Sequence, residues 1–254
     1  MTAAAPLRRD VRLLGQVLGR VLAEQEGEDL LADVERIRRL SRAARAGGGR
    51  GAGLAAAVRA LDPERQAGVL RAFGLYFQLA NLAEQHHRLR RRRAYGREER
   101  VPRESLAEAF ERLRRVGVSE EELAEAGRRV SLELVVTAHP TESTRRGTLA
   151  AHLRLSGLLD RLDAGDDVED ALAEEITVLW QTDEVRSQRP RVVDEIRHGL
   201  WLFETSLLDA AEAVLAEYRR LLPGAPAPLR FGSWIGGDQD GNPTAGPETV
   251  TEAL

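Results

Sequence analysis

Val135-Val-Thr-Ala-His-Pro-Thr-Glu-Ser-Thr-Arg-Arg146 decides how this chain is read. Leu132 to Val136 is a short apolar, β-branched run broken once by Glu133, which predicts a largely buried strand. His139 precedes Pro140, and a residue before proline is pushed away from the α region, so the chain leaves the strand extended. Thr141 suits an N-cap and Glu142 a first turn, and Leu149, Leu153, Leu158 and Leu162 continue as a helical stripe. The pattern therefore holds a histidine at a helix start. There the free N–H groups favour anions and disfavour imidazolium, which keeps the ring neutral and able to accept a proton. Arg145 and Arg146 add positive charge nearby. Taken alone, such a histidine is more readily a turn cap beside two solvated arginines.

The residues before this stretch read as helices. Val11, Leu14, Leu18, Val21 and Leu22 mark one, and Leu30 to about Arg45 a second. Ala46-Gly-Gly-Gly-Arg-Gly-Ala-Gly53 is too glycine-rich for a helix and reads as a surface loop before a helix beginning near Leu54. From Pro63 to about Ala94 a long helix is expected to bury Leu70, Phe73, Phe77, Ala80, Leu82 and Ala83. Ser119-Glu-Glu-Glu122 is a capping box opening a short helix up to Arg129. After the histidine stretch, Leu172, Ile176, Leu179 and Trp180 form a core stripe on a helix that ends before Pro190. One helix from about Val193 to Leu222 is expected to turn Leu200, Leu207, Leu208, Ala211 and Leu215 inward and to stop at Pro223-Gly224.

Leu229 to Ile235 reads as a second strand, followed by the polar loop Gly236-Gly-Asp-Gln-Asp-Gly-Asn-Pro243. Asp238, Asp240 and Asn242 alternate as in a calcium loop, but Pro243 stands where that loop needs glycine and Thr249 where it needs the bidentate glutamate. An aspartate turn network and a role in shaping an anion pocket remain equal readings.

Composition narrows the classes. The chain has 254 residues, 43% of them hydrophobic, enough for one large domain or two small ones. No apolar run approaches the roughly 18 residues of a membrane span, and Met1-Thr-Ala-Ala-Ala-Pro6 has no apolar signal core, so a cytoplasmic location is expected. There is no cysteine, which excludes disulfides and thiolate chemistry. All 37 basic residues are arginine, which excludes a Schiff-base or P-loop lysine; uniform arginine use is read as coding bias. Arg88-Leu-Arg-Arg-Arg-Arg93 with Arg97, Arg100 and Arg103 invites a nucleic-acid reading. A net charge of −4, an aromatic content of 4% and no interleaved stacking residue but Tyr95 speak against it, so a solvated helix end or a salt-bridged helix contact is expected, with Glu98 and Glu99 neutralising part of the charge.

Thr137-Ala-His-Pro-Thr-Glu142 resembles the histidine signature of the phosphoenolpyruvate carboxylases. Gly232-Ser-Trp-Ile-Gly-Gly-Asp-Gln-Asp-Gly-Asn-Pro243 is similar to a second signature of that family. Phe77-Gln-Leu-Ala-Asn-Leu-Ala-Glu-Gln-His-His-Arg88 and Gln181-Thr-Asp-Glu-Val-Arg186, leading into Arg189-Pro190, resemble it too, in the family's order. The resemblance runs from about Phe73 to the last residue.

It implies an enzyme that joins phosphoenolpyruvate to bicarbonate, through carboxyphosphate and the enolate of pyruvate, to give oxaloacetate and phosphate, with Mg2+ and as a homo-oligomer, a tetramer, at full length. It implies that His139 deprotonates carboxyphosphate, and that Arg145 and Arg146 match positions that hold the phosphate of a sugar-phosphate activator in some members. Gln239 departs from the family's usual arginine, which puts an anion contact there in doubt.

The implied fold is mostly α, with helices around the first strands of an incomplete α/β (TIM-like) barrel: residues 1–130 a helical region, 131–254 the start of the catalytic barrel. The family's metal carboxylates, glycine-rich loop and second histidine have no match in this sequence. The helix opened by Pro247 and Glu248 ends at Leu254, so an amino-terminal fragment, inactive alone and with exposed strand edges prone to aggregation, is expected. The alternative is a non-catalytic helical scaffold or regulatory module derived from the enzyme.

Overall fold

A computed structural model describes residues 5–46, 52–97, 101–137, 146–182, 191–237 and 245–253. The elements are α1 (Ala5–Glu26), α2 (Glu28–Ala46), α3 (Ala52–Arg59), α4 (Pro63–Arg97), α5 (Leu106–Arg115), α6 (Glu120–Arg129), β1 (Leu132–Val136), α7 (Arg146–Ala164), α8 (Glu169–Gln181), α9 (Val192–Leu202), a π-helical turn (Phe203–Leu207), α10 (Leu208–Leu221), β2 (Leu229–Ser233) and α11 (Pro247–Ala253). The described residues are mostly helical, with two short parallel strands. They divide into two compact units that do not follow chain order: Met1–Arg91 with Gly147–Glu184, and Arg92–Arg146 with Val185–Leu254.

The first unit is a helical core. Leu14, Leu18, Val21 and Leu22 of α1 meet Leu75 and Leu79 of α4, Leu155 and Leu159 of α7, and Leu172 and Ile176 of α8 in one buried cluster. Gly27 takes φ +88 between α1 and α2, a conformation that suits glycine, and lets two helices follow each other almost without a loop. At the far end of α8, Arg71 donates to the carbonyls of Trp180 and Thr182 and lies over the Trp180 ring, whose Nε1 donates to Glu26.

The basic end of α4 is in part a salt-bridged helix contact. Arg90 Nη2 donates to the fully buried Asp10 of α1 at 2.7 Å, and its Nε to Asp163 of α7 at 2.6 Å. Arg9 Nη2 also donates to Asp163, and His86 Nε2 lies 3.1 Å from it. His86 belongs to the first of the family-like stretches, and its side chain is buried in this network. Glu98 and Glu99 lie outside the described residues.

Several faces differ from the sequence expectation. In α4, Leu70 and Phe77 are 74% and 57% exposed, and the buried side chains are Val69, Ala72, Leu75, Leu79, Leu82 and Ala83. Apolar residues lie all round this helix, so periodicity alone selects no face. In α7, Leu153 is exposed, and Ala151, Leu155 and Leu159 are buried, with Leu158 and Leu162 beside them. The expected 193–222 helix is one run of chain interrupted by the π turn; Leu207, Ala211 and Leu215 are half-buried as expected, whereas Leu200 before the turn and Leu208 after it are exposed.

The second unit is held by a smaller cluster of Phe110, Leu123, Tyr218, Leu221 and Leu222. Ser119 caps α6 with the reciprocal Glu122 bond that the sequence predicts. Tyr218 Oη donates to the carbonyl of Gly127 at 2.9 Å, and a Cβ on Gly127 would sit 2.4 Å from Leu222 Cδ1. The helices that lead into the two strands are thus locked together.

Three stability outcomes follow. Leu155→Ala should cost about 2–5 kcal/mol in denaturant unfolding, whereas Leu153→Ala should stay within about 0.5 kcal/mol; equal costs would restore the face expected from sequence. Gly127→Ala should cost about 1–3 kcal/mol through overpacking against Leu222. Burial works against ionisation of Asp163, but hydrogen bonds from Arg90, Arg9 and His86 outweigh it and hold the carboxyl at about 2, below its usual 3.8. Its stabilising contribution is therefore fully present above the ordinary carboxylate value and lost as pH falls toward 2. Asp163→Asn should be the less stable protein at pH 6, with the gap closing as pH falls from 4 to 2; a constant gap would sink this account.

Candidate functional site

The two strands are set by what precedes them. Val130 leaves α6 in an extended conformation, and Ala225-Pro-Ala-Pro228 leads extended into β2. Leu132 N donates to Pro228 O at 2.7 Å, fixing a register in which Leu134 faces Phe231 and Val136 faces Ser233. At the other end Trp234 N donates to Val136 O at 2.8 Å. Because the pairing is parallel, both carboxyl ends lie at the same end of the pair.

That end is where the two signature loops begin. Thr137 follows β1, and Trp234, Ile235, Gly236 and Gly237 follow β2. His139 and Arg145 on the first loop, and Asp238, Gln239, Asp240, Asn242 and Pro243 on the second, lie outside the described residues. So do Thr141 and Glu142 of the expected helix start, and Arg186, Arg189 and Pro190. Arg146 is exposed at the first position of α7, with no ion-pair partner among the described residues.

Around the strand ends the described residues form a shaped surround. The start of α9 packs there: a Cβ on Gly236 would lie 3.3 Å from Val192 Cγ1, and one on Gly199 would lie 2.5 Å from Ile235 Cδ1. Free amides at a helix start favour an anion, and Asp194 and Glu195 in the same first turn offset that preference. Trp234 is 59% exposed, with Gly237 close against its indole: a Cβ there would come within 2.9 Å of the ring. Composition does not reveal this packing, although the glycine pair after the tryptophan is the signal that could have.

β1 is not the largely buried strand that its composition predicts. Leu132, Leu134 and Val135 are each more than half exposed, because among the described residues only β2 pairs with it. The apolar pattern marks what a strand can bury, and burial also needs a covering element.

Among the described residues no group of three or more His, Cys, Asp or Glu is placed to hold a metal ion. No helix among them is long and apolar enough to cross a membrane. His152 of α7, which the sequence reading passed over, has its Nε2 buried without a partner, and burial pushes its pKa down.

Residues 7–254 match the family model described as phosphoenolpyruvate carboxylase. This chain belongs to the phosphoenolpyruvate carboxylase family. The phosphoenolpyruvate carboxylase of Thermus thermophilus is 41% identical over 260 residues, covering 98% of this chain and 30% of the relative. Those of Alcanivorax borkumensis and Xanthomonas campestris are each 38% identical over 271 residues, covering 98% and 100% of this chain and 30% of each relative. The chain thus spans about 30% of the length of the carboxylases it matches. The family match begins at residue 7, well before the resemblance read from Phe73.

Gly236 takes φ +78 at the carboxyl end of β2, so Gly236→Ala should cost about 1–2 kcal/mol through left-handed strain. Gly246→Ala, where a Cβ meets open space, serves as the control. Matching melting temperatures for the two variants would show that the turn does not constrain the site.

Proposed function

We propose that this chain supplies the histidine-bearing part of an enzyme that carboxylates phosphoenolpyruvate with bicarbonate. The observation that supports this best is the parallel pairing of β1 and β2, from whose adjacent ends both the His139 and the Asp238–Pro243 stretches start. Ligands of parallel α/β folds bind outside the carboxyl ends of the strands. We read residues 131–254 as the opening of such a barrel and 1–130 as the helical region before it. The exposed apolar strand residues are the surface that the rest of the enzyme would cover.

In this reading the phosphoryl group passes from phosphoenolpyruvate to bicarbonate, giving carboxyphosphate and the enolate of pyruvate. His139 takes the proton of carboxyphosphate, which breaks into CO2 and phosphate; the enolate carbon then attacks CO2 to give oxaloacetate. General-base help of this kind is worth about 10²–10⁴-fold. Arg145 and Arg146 are candidate contacts for an anionic effector, and Gln239 would supply no charge where the family usually has arginine. A divalent cation, Mg2+ in this reading, would stabilise the enolate; the described residues offer no ligand group for it, and its ligands belong to the family's further length. A cytoplasmic homo-oligomer, tetrameric at full length, completes the proposal.

The test is bicarbonate-dependent phosphate release from phosphoenolpyruvate by the longest product of the reading frame that contains this chain. His139→Asn should lower it by at least about 10², and the chain by itself should release none. Full activity in the His139→Asn variant would refute the role given to this residue.

A further inference from the structure

Beside the Asp10–Arg90–Asp163 network, a groove of about 600 Å3 runs between α1 and α7, and the carboxylase reading makes no use of it. Arg8, Arg9, Arg12 and Gln16 line it above Leu13 and Leu162. The spacing of Arg8, Arg9, Arg12 and Gln16 puts them on one face of α1, opposite the face that buries Leu14, Val17, Leu18 and Val21.

Charge and preorganisation both point to an anion. The guanidiniums of Arg9 and Arg90 balance the carboxylates of Asp10 and Asp163, while Asp160 lies 4.0 Å from His86 Nδ1 on the far side of that ring. Arg12 brings charge beyond that balance, and it has no hydrogen-bond or ion-pair partner among the described residues. Arg9 is held on both sides, its Nε by the fully buried Asp10 at 2.8 Å and its Nη2 by Asp163 at 2.6 Å. A guanidinium fixed in this way loses little freedom when a ligand arrives, and its Nη1 is left to donate to a phosphate or carboxylate oxygen. Gln16, one turn beyond Arg12, adds an uncharged donor, and Leu13 and Leu162 give an apolar floor for a carbon skeleton.

We propose that this groove binds a small dianion, a phosphate ester or a dicarboxylate, with Arg12 as the principal anchor and Arg9 as a preset second contact. This proposal does not depend on the carboxylase reading. Titration calorimetry of the chain with inorganic phosphate, and separately with malonate, at low ionic strength tests it. Saturable one-site binding of either probe is expected, and the tighter probe assigns the class. Arg12→Gln should weaken it about tenfold or more, as loss of one charge-assisted contact does. The exposed Arg42→Gln should leave it unchanged. No saturable binding overturns the proposal. Equal weakening by both variants means an adventitious ion only and overturns it as well. Arg12 is exposed, so the variant should keep the parent's circular dichroism.

Discussion

Parallel pairing of β1 with β2 is the constraint from which the rest of the arrangement follows. Parallel strands cannot be joined by a tight turn, so the chain must leave the end of β1 and travel back before it can form β2. It spends that return on α7, α8, α9 and α10. The first two belong to the helical core with α1 and α4; α9 packs against the residues that follow β2, and Tyr218 and Leu221 of α10 pack with Phe110 of α5 and Leu123 of α6. The pairing also brings the carboxyl ends of both strands together, which is the condition for two loops far apart in sequence to serve one site.

Each unit has its own means of resisting disorder. In the first, leucines and an isoleucine from four helices supply area, and the Asp10–Arg90–Asp163 network supplies direction. Buried charge of this kind contributes little net stability compared with an apolar replacement, but breaking one partner is costly because the other is left uncompensated. The second unit has a smaller core, and its order rests on close backbone approach at Gly127 and the Tyr218 hydrogen bond, directly before the strands.

Much of the fold was legible from sequence because local rules sufficed. The limits of α1, α2, α4 and α6 follow from apolar runs, glycine and proline positions, and the Ser119 capping box. Faces were less legible. Leu70 and Phe77 were expected inside and are exposed, and α7 turns Leu155 rather than Leu153 to the core. On a helix with apolar residues all round, only the partner decides which side is buried. The π turn at Phe203–Leu207 has no comparable local signal.

The sequence by itself determined the family, because the order of side chains around His139 and around Trp234-Ile-Gly-Gly237 is a chemical pattern that survives without coordinates. It determined the existence of two strands as well, since β-branched and apolar runs bounded by proline and glycine need no partner to be recognised. Only the tertiary structure decided that these strands pair in parallel with Val136 beside Ser233, that Arg90 spends its charge on Asp10 and Asp163, and that Arg12 keeps its own. Pairing, charge neutralisation and burial depend on residues dozens of positions away along the chain. Local sequence carries no record of those distances.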